Sequence, residues 1–146
     1  MLIDAGSVTL QQQNLTTSSV VVQNGGKLTG LGSAIIATIS TLGLVQSNGH
    51  LYWEGLWTGP APVSQKGGVS NVFLMQLESA FSLSSGTYTG ARAVLTGPFI
   101  WSAGSLIDSL VVEARGPSFF TGAGTKTMTT MRFENYAHVR WEGGSL

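Results

Sequence analysis

The chain of 146 residues has no cysteine, four prolines and few charges: seven Lys plus Arg against seven Asp plus Glu, 10% of the sequence, for a formal net charge of zero. Each shortage removes a class of protein. Without cysteine there is no disulfide framework, thiolate metal site or cysteine nucleophile, a condition compatible with either redox compartment. A neutral balance without a basic run lacks the electrostatic footprint of a nucleic-acid binder or of a protein held on an anionic membrane. No stretch of about 18 apolar residues is available to insert in a bilayer, and residues 1–15 lack the basic and continuous apolar regions of a secretory leader. The most apolar run, 34–45, is interrupted by Thr38, Ser40, Thr41 and Gly43 and reads as buried strand.

What the chain does have is 42% apolar residues, 20 glycines and abundant serine and threonine. That apolar share suffices for one continuous core in a single domain, 1–146. With so little charge, hydroxyls and amides must solvate the surface.

A short phrase recurs: a glycine, one variable residue, a large apolar residue, then usually Thr-Gly. Its copies are Gly26-Lys27-Leu28-Thr29-Gly30, Gly55-Leu56-Trp57-Thr58-Gly59, Gly86-Thr87-Tyr88-Thr89-Gly90, Gly104-Ser105-Leu106-Ile107-Asp108 and Gly144-Ser145-Leu146. A second phrase runs from an apolar segment through Trp into Gly, as Leu51-Tyr52-Trp53-Glu54-Gly55, Phe99-Ile100-Trp101-Ser102-Ala103-Gly104 and Val139-Arg140-Trp141-Glu142-Gly143-Gly144, with Asn48 and Asn135 heading the first and third. Short β-rich segments lie between and within these phrases, at 7–10, 19–23, 34–40, 44–46, 72–77 and 110–113, separated by Gly, Asn and Ser. The strongest helical candidate, 71–81, is apolar nearly all round and has no caps. Segment 58–70, with Pro60, Pro62 and Gly67-Gly68, reads as a loop inserted in the repeat.

Many short strands, Gly corners and an imperfect repeat of about 20 to 25 residues predict an all-β fold, a single-domain parallel β-solenoid, or β-helix. Its alternative at the same strand count is an antiparallel β-sandwich. The solenoid reading predicts parallel ladders, with Trp53 and Trp141 at equivalent coil positions.

Residues 95–146 carry the densest set of phrases: Phe99-Ile100-Trp101-Ser102-Ala103-Gly104-Ser105-Leu106, Gly122-Ala123-Gly124-Thr125-Lys126-Thr127 and Val139-Arg140-Trp141-Glu142-Gly143-Gly144-Ser145-Leu146. This stretch resembles the Trp-Ser-Gly-Gly-Thr-Leu type repeats of large secreted or surface-anchored bacterial proteins, adhesin-like and filament-like chains of β-helix type. Departures are Ala103 at a usual glycine, Ile107-Asp108 at the polar turn, and the bulky Phe119, Phe120, Met128 and Met131. The resemblance implies a structural role at the cell surface or outside the cell, and it brings no catalytic residues.

Chemistry has little to stand on. Asp4 and Asp108 are far apart in sequence, whereas glycan hydrolysis needs two carboxylates held together. Glu54 and Glu142 follow Trp in two phrases and read as solvated turn residues. His50 and His138 fall in the same phrases, but two imidazoles fall short of a zinc site, so neither metal nor cofactor is expected. No phosphate loop, nucleophile elbow or His-Glu-x-x-His motif is present. Tyr52, Trp53, Trp57, Trp101 and Trp141 remain as carbohydrate-binding candidates if their rings face outward; the plainer reading places them in the core. Asn14-Leu15-Thr16 is a glycosylation sequon. The expectation is a non-enzymatic, structural or adhesive module of an extracellular or cell-surface assembly, stacking on copies of itself or on neighbouring repeats, end to end, as a filament. The alternative is a carbohydrate-binding module whose partners are glycans.

Overall fold

The computed structural model describes residues 1–10, 15–17, 20–23, 27–30, 34–36, 44–47, 49–60 and 62–146. Asn14 of the sequon, Gly26, Asn48 and residues 37–43 of the apolar run lie outside the described residues.

Strand sequences alternate inward apolar with outward polar side chains. His50, Leu51, Tyr52 and Trp53 read exposed, buried, exposed, buried; Phe81, Ser82 and Leu83 read buried, half-buried, buried. Such strands bury one face only, and here they do so by stacking coil on coil. Every strand pairing among the described residues is parallel, so the chain is an all-β solenoid and the sandwich alternative does not apply.

The ladders form three faces. The first runs through Leu2–Asp4, Val20–Gln23, Leu44–Ser47, the start of Val63–Leu77, the start of Phe81–Thr89, Phe99–Trp101, Ser118–Phe120 and Val139–Trp141. Stacked on the second are Ser7–Leu10, Lys27–Gly30, the start of His50–Gly59, the middle of Val63–Leu77, the end of Phe81–Thr89, Gly104–Ile107 and Lys126–Thr129. The third holds Leu15–Thr17, Ala34–Ile36, the end of His50–Gly59, the end of Val63–Leu77, Arg92–Leu95, Val111–Ala114 and Arg132–Asn135. Partners on the first face are 18 residues apart at Val63, Phe81 and Phe99, and 24 apart at Val20 and Leu44. The tightest coils are thus shorter than the repeat estimated from sequence.

Two sequence expectations are corrected, and the strand read over 72–77 is observed in preference to the helical candidate 71–81. Segment 58–70 is not an inserted loop: Gly59 closes one strand, Val63 opens the next, and Gly67-Gly68 lies inside a strand that bends from the first face to the second. Corners and loops demand the same residues, so composition alone does not separate them. Residues 71–77 are strand, with no helix at the all-round apolar stretch. Trp53 and Trp141 are not equivalent: Trp101 and Trp141 both pair with Phe120 on the first face, whereas Trp53 pairs with Gly30 and Val72 on the second. One phrase therefore turns two different corners.

Inside, equivalent residues stack in columns such as Val63, Phe81 and Phe99, or Leu28 and Leu51. Phe81 and Phe99 stack at 5.5 Å between ring centroids, and Trp53 meets Trp57 edge-on at 5.3 Å. Two glycines fit the columns by lacking a side chain. Gly30 yields its inward volume to the Trp53 indole, and a Cβ on Gly90 would overlap the Val72 carbonyl. Gly90→Ala should therefore cost about 3 kcal/mol or more in chemical denaturation, because the obstacle is backbone. Gly6→Ala, whose new Cβ would lie 3.7 Å from its nearest neighbour, should change stability by less than about 0.5 kcal/mol.

Candidate functional site

The corner between the second and third faces differs in length from coil to coil. Glu54-Gly55 stand where the next coil has Phe73 alone, between Trp53 paired with Val72 and Leu56 paired with Leu74. The following coil turns through Gly90-Ala91, and the one after inserts Asp108-Ser109-Leu110 between Ile107 and Val111. The extra residue is absorbed by left-handed backbone at Asp108 (φ 64°) and Ser109 (φ 59°), after which Leu110 turns fully inward. Ser109 donates its backbone N–H to the Thr130 carbonyl at 2.7 Å, and Thr130 is itself left-handed (φ 50°).

These unequal corners leave a groove of about 690 Å³. Gly90 and Ala91, with almost no side chain, form its floor. Tyr52, Glu54 and Phe73 line one side, Asp108 and Ser109 the other, with Asn71 and Thr89 between. Tyr52 is 42% and Phe73 52% exposed. A smaller hollow of about 420 Å³ continues along the second face past His50, Val69 and Lys27, sharing Tyr52, Asn71 and Thr89.

Of the five aromatic candidates, the structure leaves two at the surface. Trp53, Trp57 and Trp101 are fully buried on the second, third and first faces respectively, so for these three the plainer core reading holds and no outward tryptophan ladder forms. Inward and outward positions alternate along each strand, and Trp53 lies one residue beyond outward Tyr52. Trp101 packs against Phe120 at 5.5 Å, and its Nε1 donates to the Ala103 carbonyl at 3.1 Å. Trp141 is 43% exposed and lies far from Tyr52 along the stack. Phe73, Asn71, Asp108 and Ser109 escaped the sequence reading, since only the register brings these coils together. The one available signal was the uneven spacing between phrases.

Glu54 and Asp108 line the same groove three rungs apart, roughly 14 Å at the ordinary strand spacing. Glu142 closes the last strand of the first face and is on a different side from Glu54. His50 starts a strand of the second face and His138 precedes one of the first. No group of three or more His, Asp or Glu side chains is placed to hold a metal among the described residues.

Electrostatics concentrate on the third face. Glu113 is 7% exposed between Arg92, which contacts it directly, and Arg115 at 3.0 Å. Burial alone would raise its pKa, but hydrogen bonds and charge from the two guanidiniums override this and hold the carboxyl below the usual glutamate range. Glu134, its neighbour in the ladder, is paired with Arg132 at 2.7 Å and accepts the Tyr136 hydroxyl at 2.9 Å. Arg140 pairs with Glu142 at 2.7 Å. Four of the seven basic side chains are thus committed to carboxylates.

The folded-state pKa of Glu113 lies below its unfolded value, so its contribution is complete above the ordinary glutamate range and is lost as pH falls through the depressed value. Glu113→Gln should cost about 1 to 2 kcal/mol near pH 7, discounted because both arginines are half exposed, and the gap should close as the pH is lowered through and below the ordinary glutamate range. Denaturation midpoints across that range test this; a gap that persists at low pH contradicts it. The burial pattern is tested by iodide quenching of tryptophan emission. A quenchable component should be present in the native chain and absent from Trp141→Phe, while Trp101→Ala should lose about 3 to 5 kcal/mol of stability. Comparison with protein-family models, curated proteins and solved structures finds no match to this chain.

Proposed function

We propose that the chain is a structural, adhesive β-solenoid module of an extracellular or cell-surface assembly, non-enzymatic, and that copies stack end to end into a filament. The observation that carries this reading is the unbroken set of parallel, in-register ladders on three faces, an architecture that adds coils along one axis. In the coil of Lys126–Thr129, Arg132–Asn135 and Val139–Trp141, Lys126 is covered by the segment that follows, its N–H donating to the Ser145 carbonyl at 2.9 Å, and other positions are less covered. Positions that are buried in the preceding coils are uncovered here: Val139, beyond Phe99 and Ser118 in its column, is 45% exposed, and Trp141, beyond Trp101 and Phe120, is 43% exposed. Met128, Met131 and Phe133 are also only partly covered.

A ladder of this kind extends by adding a coil to its axis, whether from the same chain or from a second copy. A head-to-tail contact between copies is heterologous and does not close. Charge offers little resistance, because Arg132 with Glu134 and Arg140 with Glu142 are paired within the coil itself. The hydroxyl-rich, weakly charged surface and the wide separation of Glu54 from Asp108 fit a scaffold better than a catalyst, and the surface location is the one implied by the resemblance to bacterial surface repeats.

Sedimentation velocity from micromolar to millimolar protein should show species growing in mass with concentration, elongated in electron micrographs. Trp141→Glu, at a half-exposed position, should shift the distribution to monomer while leaving far-ultraviolet circular dichroism unchanged. A single species of monomer mass across the whole series overturns the filament reading.

A further inference from the structure

The groove at the corner of the second and third faces has the chemistry of a sugar site, and this inference does not rest on the scaffold reading. We propose that it binds a neutral glycan, with one sugar ring stacked on Phe73, a neighbouring one on Tyr52, and hydroxyls hydrogen-bonded to Asp108, Glu54 and Asn71.

Phe73 and Tyr52 are among the most exposed large apolar side chains of the chain, and they line a single concavity. They lie one rung apart along the stack and two residues apart along the strand, so their Cα atoms are separated by roughly 8 Å. Exposed rings are costly to leave in water and offer flat apolar faces to the C–H face of a pyranose. The coils of Phe73 and Asp108 are two rungs apart, roughly 10 Å between backbones, with the Gly90-Ala91 floor between them. This slot brings an aromatic wall and a carboxylate wall to opposite sides of one ring. Few polar groups converging on an aromatic-lined cleft of this volume is the usual make-up of a small-ligand site.

Charge selects the class of glycan. The groove is lined by two carboxylates, Glu54 and Asp108, and by no Lys, Arg or His. Carboxylates accept hydrogen bonds from vicinal hydroxyls and repel uronate or sulfate. A peptide strand is a poor occupant, because the coils at the groove are already paired on both sides and offer no free backbone edge.

Calorimetric titration with cellohexaose and laminarihexaose as neutral probes, and hexagalacturonate as an acidic one, tests the proposal. At least one neutral probe should bind at millimolar concentration or below, and the uronate should not. Tyr52→Ala and Phe73→Ala should each weaken binding by about tenfold, the effect of losing one stacked ring. Asp108→Asn, whose side chain tolerates the left-handed backbone, should weaken it severalfold, and Trp141→Ala should leave it unchanged. Amide chemical shifts of Asn71, Thr89 and Ala91 in the unaltered protein should move during titration, a readout that does not depend on any variant folding. Absence of binding by both neutral probes, equal binding of the uronate, full affinity in Phe73→Ala, or unmoved amides at those three residues would overturn it. None of these outcomes bears on end-to-end stacking, which is read by mass alone.

Discussion

The parallel, in-register ladder is the constraint from which the rest of this structure follows. Once a strand stacks on its predecessor with no residue displaced, every inward side chain meets the side chain at its own position in the neighbouring coil. Packing is then solved column by column. Val63, Phe81 and Phe99 share one column, Gln65, Leu83, Trp101 and Phe120 another, Met75, Ala93 and Val112 a third. Each buried large apolar side chain contributes on the order of 1.5 to 3 kcal/mol. A slip of one residue would turn the whole inward set to solvent. That penalty explains how a surface with so few charges still specifies one register.

Several buried polar groups sharpen that choice, since their bonds exist only where the coils now sit, while Trp57 Nε1, Gln65 Oε1 and Ser118 Oγ are buried without a partner among the described residues. Gln65 Nε2 donates to the Thr87 carbonyl at 2.7 Å. The Tyr88 hydroxyl, in a column between Ser70 and Leu106, donates to Met75 Sδ at 3.5 Å, and burial pushes its pKa far above the ordinary phenol value. Lys126 is the most demanding case, a fully buried ammonium that donates to the carbonyls of Gly124 at 3.2 Å and Gly143 at 3.0 Å, with Gly122 at 3.5 Å and the Trp141 ring 5.7 Å away. Its carbonyl partners come from two successive coils, so the charge fastens one to the next and has nothing comparable to bind in another register.

Fold class was legible in the sequence because the features that make a solenoid are local. Gly corners, alternating short strands and the recurrence of Gly-x-apolar-Thr-Gly each report on a few residues, and a repeat near twenty reports on the coil. Position around the coil was not legible, because two different corners accept the same phrase. Trp57 follows its glycine onto the third face, whereas Leu28, Tyr88 and Leu106 occupy the equivalent place on the second. Only the register tells these apart, and it depends on contacts about 18 to 24 residues away. The candidate site suffered most from this. Tyr52 was singled out on its own merit, but Phe73 and Asp108 acquire meaning only as neighbours across the stack, and Trp53, Trp57 and Trp101 were drawn inward by the alternation that leaves Tyr52 outside.

The same constraint decides where this fold has freedom to vary. A residue added within a strand would flip the inward set of that coil, whereas a residue added at a corner changes the outline and leaves the ladders intact. The chain shows the second kind of change at one edge, where Glu54-Gly55, Phe73, Gly90-Ala91 and Asp108-Ser109-Leu110 turn the same corner with different numbers of residues. Two consecutive non-glycine residues in left-handed backbone, each costing on the order of 1 to 3 kcal/mol, are held there by buried Leu110 on one side and the Ser109 to Thr130 hydrogen bond on the other. The regular columns supply the stability that tolerates this strain, and the strained corner supplies a concavity with exposed rings and carboxylates on its walls. Regularity inside and irregularity at the corner are therefore one arrangement, since the ladder that fixes every inward side chain leaves the corner as the place where a binding surface can form.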